Sequence, residues 1–117
     1  MVKEGEFDLI KREIERFVGE RGWERYHRPK EIALSLAAEV GELLREFQWM
    51  EGEEEEEIKR GGERRERIVD EMADVLFYLV DLSRVMNVDL MEAFLKKMEK
   101  NREKYPPERF QGSYERP

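Results

Sequence analysis

Residues 71–80 read EMADVLFYLV, an apolar stretch in a chain in which 44% of the residues are charged. Glu71, Asp74 and Tyr78 follow one another at intervals of three and four, so on a helix they share one stripe. Asp74 is the only charge from Met72 to Val80. A helix that is apolar on its other faces is typical of a core, where a carboxylate must be paired or bind a metal. The stretch therefore predicts a buried helix that carries one functional acidic stripe.

Outward from this stretch, helical spacing with Gly and Pro at the boundaries predicts four main helices and no strand. The predicted helices cover about residues 7–19, 29–49, 63–86 and 90–105. Asp89 and Glu92 form a capping box that starts the fourth helix. The five glutamates at 53–57 are interpreted as a solvated loop or a frayed helix end, because like charges repel. We expect an all-α helical bundle, with one domain over residues 1–105 and a loose, polar tail over 106–117.

The composition excludes several classes of function. Asp plus Glu number 29 against 22 Lys plus Arg, and a net charge of -7 argues against general binding to nucleic acid phosphates. No apolar run approaches the roughly 18 residues of a membrane span, and the N-terminus has no signal-peptide core. The absence of Cys excludes thiolate metal sites and cysteine nucleophiles. We expect a soluble, cytoplasmic protein with no nucleic acid and no membrane among its partners.

A second pair of acids lies on the second predicted helix. Glu39 and Glu42 share a stripe beside an apolar wedge, as Glu71 and Asp74 do on the third helix. If the two pairs face each other, four negative charges repel unless a divalent cation binds between them. Oxygen-only ligands favour Mg²⁺ or Mn²⁺ over zinc. The alternative is that the acids pair with arginines. This explanation is less favoured for all four acids together than for Asp74 alone.

Two stretches resemble a known family. Residues 22–49, GWERYHRPKEIALSLAAEVGELLREFQW, and 70–105, DEMADVLFYLVDLSRVMNVDLMEAFLKKMEKNREKY, are similar to the MazG-like all-α nucleoside triphosphate pyrophosphohydrolases. The segments WERYHRPK, FQW and NREKYP resemble the dCTP pyrophosphatase branch most. Ala38 is a departure, because many members carry a second Glu there as a candidate base or extra ligand. The family's Glu-x-x-Glu and Glu-x-x-Asp signature matches Glu39, Glu42, Glu71 and Asp74.

The resemblance implies hydrolysis of (deoxy)nucleoside triphosphates to the monophosphate and pyrophosphate, which removes unwanted nucleotides, with dCTP or a modified dCTP as candidate substrates. It implies Mg²⁺, or alternatively Mn²⁺, held by the four motif acids, with Glu39 or Glu42 as the base that deprotonates water. It also implies a homo-oligomer, a dimer or a tetramer, with active sites near subunit interfaces. Two alternatives stay open: a phosphoribosyl-ATP pyrophosphohydrolase with the same metal site, and a non-catalytic helical interaction module.

The resemblance further implies a substrate pocket. The matching aromatic, imidazole and amide positions are Trp23, His27, Gln48, Trp49 and Tyr78. Lys97, Asn101 and Lys104 share one stripe of the fourth helix, which can meet phosphate oxygens. The alternatives are a core plug for Trp49, a structural hydrogen bond for His27 and an ordinary solvated basic face for the two lysines.

Overall fold

The computed structural model describes residues 5–112, and within that range it contains six α-helices, one short 3₁₀ turn and no strand. The all-α fold class is therefore confirmed. None of the helices in this range is long and apolar enough to cross a membrane. The helices are α1 (Glu6–Glu20), α2 (Pro29–Phe47), α3 (Gly52–Ile58), α4 (Glu63–Val85), α5 (Leu90–Lys104) and α6 (Pro107–Phe110), and the 3₁₀ turn (Glu24–Tyr26) lies between α1 and α2.

Local chemistry sets several helix ends. Pro29 occupies the first turn of α2, where its missing N–H costs no hydrogen bond. Gly62 precedes α4 with a φ of 103°, a conformation that residues with a side chain rarely adopt. The Asp89 carboxylate accepts a 3.0 Å hydrogen bond from the backbone N–H of Glu92. The predicted N-terminal cap of α5 is therefore confirmed.

One prediction about a polar segment is wrong, and another stays a prediction. The five glutamates form part of α3 rather than a loop or a frayed helix end. Ion pairs of Glu54 with Arg64 at 2.8 Å and of Glu56 with Lys59 at 3.0 Å offset part of their repulsion. The predicted C-terminal tail contains α6, its residues from 113 onward lie outside the described range, and the tail stays a prediction. The four predicted main helices correspond to α1, α2, α4 and α5.

The described residues form two compact units, which divide after Asn87. In the first unit, α4 packs against α2 and α1. In the second unit, which contains α5 and α6, the rings of Tyr105 and Phe110 meet edge to face at 5.4 Å. The single domain over residues 1–105 stays a prediction. The buried apolar side chains of the first unit are Ile14, Val18, Ile32, Ile68 and Val80.

The surface of α4 is less covered than its sequence predicts. Asp74 is exposed, so the expectation that its carboxylate is buried is wrong. Helices α1 and α2 leave four apolar side chains of α4 between 40% and 57% exposed, because a chain of this length buries only about two thirds of its unfolded surface. These four side chains are Val69, Met72, Leu76 and Leu79.

Ile32, which is 1% exposed on α2, tests this account of the core. We expect Ile32→Ala to lower the free energy of unfolding by about 2–5 kcal/mol, because the substitution removes apolar contacts and leaves a cavity. The matched control, Ile32→Val, should cost about 0.5–1.5 kcal/mol. Urea unfolding followed by circular dichroism measures both. An alanine variant that costs no more than the valine variant would contradict the placement of Ile32.

Candidate active site

Three carboxylates meet where α2 packs against α4. One oxygen atom each of Glu39, Glu71 and Asp74 lies within 4.8 Å of the other two. The interval of three residues places Glu71 and Asp74 on the same side of α4, and α2 supplies Glu39. The structure therefore brings together three of the four predicted metal ligands, which we call the acid cluster.

The fourth predicted ligand, Glu42, lies one turn beyond Glu39 on α2. Its side chain is exposed, and its Oε1 atom lies 3.8 Å from Nη1 of Arg45. Its negative charge nevertheless contributes to the raised pKa of Glu71. The roles of Glu42 as a metal ligand and as a base stay predictions.

The acid cluster raises the pKa of Glu71 to about 6. The largest cause is a hydrogen bond with Glu39, because two carboxyl groups can share a bond only when one of them is protonated. Desolvation raises the pKa further, and so do the charges of Glu39, Asp74 and Glu42. The cluster therefore favours a proton, or another positive charge, between its members.

The donor atoms of the acid cluster fit a divalent cation. Oε2 of Glu71 is buried, and no donor within the described residues makes a hydrogen bond to it. The ion pairs of the described range join neither Arg nor Lys to Glu39, Glu71 or Asp74, so the arginine-pairing alternative is observed for Glu42 but not for these three acids. An unpaired buried anionic oxygen beside two further carboxylates matches the oxygen ligands that hard divalent cations prefer.

A cavity of about 710 Å³ in the first unit adjoins the acid cluster. Glu39 and Asp74 contribute to its lining, and the rest comes mainly from α1 and from aromatic rings. These rings contact one another edge to face, with centroid distances of 5.9 Å for Phe17–Trp23 and 5.8 Å for Phe17–Phe77. With a cation bound at the acid cluster, the cavity would therefore suit a ligand with an anionic part and a flat apolar part. We call the four lining rings the aromatic wall: Phe17, Trp23, Phe77 and Tyr78.

Sequence reasoning missed seven of the residues that line the cavity, among them Phe17, Arg21 and Phe77. Phe17 and Phe77 have the helical spacing of core residues, and no sequence pattern separates a core ring from a cavity ring. Arg21 has the pattern of an ordinary surface cation. In the structure its guanidinium lies 3.8 Å from the ring centroid of Phe17, and it donates a hydrogen bond to the Phe17 carbonyl oxygen. Only the packing of α1 on α4 makes these residues part of the site.

Of the predicted substrate-binding residues, Trp23 and Tyr78 line the cavity. Burial is the largest cause that raises the pKa of Tyr78, and the negative charges of Glu39 and Asp74 raise it further. His27 does not line the cavity, but its ring lies 6.5 Å from that of Trp23 and 6.4 Å from that of Phe77. His27 therefore lies next to two rings of the aromatic wall but outside the cavity lining.

The other predicted substrate-binding residues lie elsewhere. Gln48 and Trp49 follow the end of α2 and do not line the cavity. Trp49 is 84% exposed, so the alternative that it plugs the core is wrong. On α5, in the second unit, the two lysines are exposed and Asn101 is half-buried. The roles of these five residues in binding stay predictions: Gln48, Trp49, Lys97, Asn101 and Lys104.

Comparisons with known proteins agree with this arrangement. Residues 34–115 match the model of the MazG-like family. The chain is 40% identical over 104 residues to dCTP pyrophosphatase 1 of Bos taurus, an alignment that covers 89% of this chain and 62% of that protein. It is 43% identical over 99 residues to dCTP pyrophosphatase 1 of Homo sapiens, covering 83% of this chain and 57% of that protein. The chain thus spans about three fifths of the length of these relatives.

A solved structure is similar as well. It is the crystal structure of a pyrophosphatase from Archaeoglobus fulgidus, with 39% sequence identity and a TM-score of 0.80. The alignment covers 91% of this chain and 97% of that chain. The similarity therefore extends over nearly the whole of both molecules.

The raised pKa of Glu71 predicts how stability depends on pH in the absence of metal. A carboxyl group whose pKa is higher in the folded protein stabilises the fold when it is protonated. Its contribution is complete below about pH 4.5 and is lost as the pH rises through about 6. In EDTA, we expect the melting temperature of the unmodified protein to fall over this interval relative to that of Glu71→Gln. Thermal melts at a series of pH values measure the difference.

Glu66→Gln is the matched control, because Glu66 is exposed on the same helix and lies outside the acid cluster. Its melting temperature should follow that of the unmodified protein across the whole pH range. If the melting temperature of the Glu71→Gln variant also followed that of the unmodified protein, Glu39 and Glu71 would not share a proton.

Proposed function

This chain belongs to the MazG-like family, and on that premise we propose that it hydrolyses (deoxy)nucleoside triphosphates to the monophosphate and pyrophosphate. The activity removes unwanted nucleotides, and dCTP or a modified dCTP is the leading candidate substrate. The similarity to the mammalian dCTP pyrophosphatases and to the archaeal pyrophosphatase supports this. The observation that carries the proposal is the cavity in which Glu39 and Asp74 face an aromatic wall.

The acid cluster supplies the ligands for the metal in this proposal. Glu39, Glu71 and Asp74 hold Mg²⁺, or alternatively Mn²⁺, and Glu42 is the fourth ligand. When bound, the cation neutralises phosphate charge and polarises the phosphoanhydride. Glu39 or Glu42 accepts the proton of the attacking water through a carboxylate oxygen. Because metal ligands must be ionised, Glu71 loses its proton on binding, which its pKa of about 6 permits at neutral pH.

The aromatic wall binds the nucleobase in this proposal. Trp23 and Tyr78 lie in the same cavity as Glu39 and Asp74, so a base on the wall and phosphates at the acid cluster belong to one bound nucleotide. His27 lies against the ring of Trp23. Lys97, Asn101 and Lys104 stay proposed phosphate-binding residues, and Gln48 and Trp49 stay proposed base-binding residues.

A homo-oligomer, a dimer or a tetramer, completes the proposal. Apolar side chains on α4 and α2 are uncovered in the single chain, and Trp49 is almost fully exposed. Surfaces of this kind mark sites of protein association. A second copy that covers these helices would bury them and would give Trp49 a place next to a bound nucleotide.

The products of the reaction test the proposed function. The protein is incubated with Mg²⁺ and each common ribo- and deoxyribonucleoside triphosphate, and with phosphoribosyl-ATP. Phosphorus NMR then separates pyrophosphate from orthophosphate. We expect pyrophosphate and the monophosphate, with dCTP among the fastest substrates. Diphosphate and orthophosphate as primary products would contradict the proposal. Cleavage of phosphoribosyl-ATP alone would support the alternative of a phosphoribosyl-ATP pyrophosphohydrolase. No turnover of any of these compounds would support a non-catalytic interaction module.

Asp74→Asn tests the acid cluster in the same assay. We expect it to abolish hydrolysis, whereas Asp70→Asn, an exposed aspartate one turn earlier on α4, should retain activity. In EDTA the Asp74→Asn variant should melt at the same temperature as the unmodified protein or higher, because one repelling charge is gone. Added Mg²⁺ should raise its melting temperature less. A lower melting temperature in EDTA, with the full Mg²⁺ effect retained, would show that Asp74 has a structural role instead.

Trp49→Ala tests the contribution of Trp49 to binding. We expect the substitution to weaken the binding of a non-hydrolysable triphosphate analogue by roughly 1–3 kcal/mol. Because Trp49 is 84% exposed, the free energy of unfolding should change by no more than about 0.5 kcal/mol. Trp49→Phe, which keeps an aromatic face, is the matched control and should retain most of the affinity. Isothermal titration and urea unfolding measure the two quantities. Unchanged affinity with a large loss of stability would overturn the assignment.

A further inference from the structure

Asp81 is a fully buried carboxylate on α4, two turns after Asp74 and outside the acid cluster. A carboxylate that is removed from water must be compensated by hydrogen bonds or by an opposite charge. The proposed catalytic steps do not use Asp81, and it does not line the cavity. Its partners therefore indicate what it does.

Both carboxylate oxygens of Asp81 are engaged. Oδ1 accepts hydrogen bonds from Nε and Nη2 of Arg84 at 3.0 and 2.7 Å. Oδ2 lies 2.5 Å from Nδ1 of His27, a residue that is 54 positions away in the sequence. Arg84, three residues further along the same helix, already supplies the opposite charge. The bond to His27 is therefore not needed to neutralise Asp81. Its effect is to join the Asp81 carboxylate to a distant segment of the chain.

The bond to Asp81 fixes the ring of His27. It places the proton on Nδ1, as carboxylates do with the imidazoles they hold, and it stops rotation of the ring. The fixed ring lies 12° from parallel to the indole of Trp23 and stands edge-on to Phe77. Both of these rings belong to the aromatic wall, whereas His27 and Asp81 lie outside the cavity lining.

Trp23 has few other supports. It lies between α1 and the 3₁₀ turn, and the residue is 42% exposed. Its backbone is held locally, by a hydrogen bond from its N–H to the carbonyl oxygen of Val18 at 3.1 Å. The ring itself contacts Phe17 and His27, and the guanidinium of Arg21 lies 5.9 Å from its centroid. Of the two neighbouring rings, that of His27 alone packs nearly parallel to the indole, so the orientation of the indole depends in part on whether His27 stays in place.

We propose that Asp81 is a positioning residue that holds Trp23 in the aromatic wall through His27, and so determines how tightly the nucleobase binds without contacting the substrate. The inference rests on the proposed function, because it takes Trp23 to be part of the base site. It assigns the acid cluster no new role. Substitution of Asp81 should therefore affect binding of the base rather than the rate of the chemical step.

The first test follows the Trp23 ring directly and needs no activity. In a Trp49→Phe background, Trp23 is the only tryptophan, so its fluorescence and its quenching by acrylamide report its exposure. We expect Asp81→Asn and His27→Gln each to increase quenching of Trp23, by about twofold. His27→Gln retains the Asp81–Arg84 ion pair, so it remains informative if Asp81→Asn does not fold. Unchanged quenching in a folded His27→Gln variant would overturn the proposal.

Glu31→Gln is the matched control for this measurement. It breaks a neighbouring ion pair, between Glu31 and Arg28 at 2.7 Å, which involves neither His27 nor Trp23. Quenching of Trp23 should stay as in the background protein. An increase equal to that of His27→Gln would mean that any loosening of this region exposes the indole, and it would overturn the specific role of Asp81.

The second test measures kinetics with dCTP and Mg²⁺. We expect both substitutions to raise KM at least about fivefold, which corresponds to the weaker limit of base–aromatic stacking, and to leave kcat within about twofold. In the double variant the KM effect should equal that of His27→Gln alone, because Asp81 acts through His27. Additive effects, or a loss confined to kcat, would overturn the proposal. If no nucleotide is hydrolysed at all, the proposed function fails, and the quenching result still decides whether Asp81 positions Trp23.

Discussion

Mutual repulsion of Glu39, Glu71 and Asp74 is the constraint on which the rest of the first unit depends. The packing of α2 against α4 holds these carboxylates within 4.8 Å of one another, and no lysine or arginine of the described range pairs with them. The few buried side chains between the helices must outweigh that repulsion, in a chain whose core is small. A proton on Glu71 relieves part of it. The hydrogen bond that this proton makes with Glu39, desolvation and the neighbouring charges together raise the pKa of Glu71 to about 6. A bound divalent cation relieves more, so the same geometry that strains the metal-free fold creates the affinity for metal.

The two parts of the candidate site are held in different ways. The acid cluster lies within two long helices, where backbone hydrogen bonds and the α2–α4 contact fix each side chain. In the aromatic wall, Trp23 instead lies in the short connection between α1 and α2 and depends on side-chain contacts. In the proposed function, the chemical step takes place on rigid helices and the base is recognised on a connection. The base preference could then change while the acid cluster stays the same.

The sequence predicts features that depend on local chemistry, and it fails where distant residues decide. The all-α class, the cap at Asp89 and the shared stripes of Glu39, Glu71 and Asp74 follow from helical spacing and capping. An isolated charge on an apolar helix is expected to be paired, and the sequence indicates Asp74 as that charge, but Asp74 is exposed. The structure shows that this expectation holds instead for Asp81, whose partner His27 lies 54 positions away. Periodicity identifies the side chains that share a stripe, but neighbouring helices decide which stripe is covered.

Diffraction from crystals soaked in Mn²⁺ tests the central claim, that the acid cluster is a site for a divalent cation, most directly. Anomalous scattering locates the ion independently of any assay of activity. The account predicts an Mn²⁺ peak coordinated by carboxylate oxygens of Glu39, Glu71 and Asp74, lost when Asp74 is replaced by Asn. It would be contradicted by crystals in which Mn²⁺ binds elsewhere while these three carboxylates are neutralised by a lysine or arginine of a neighbouring chain.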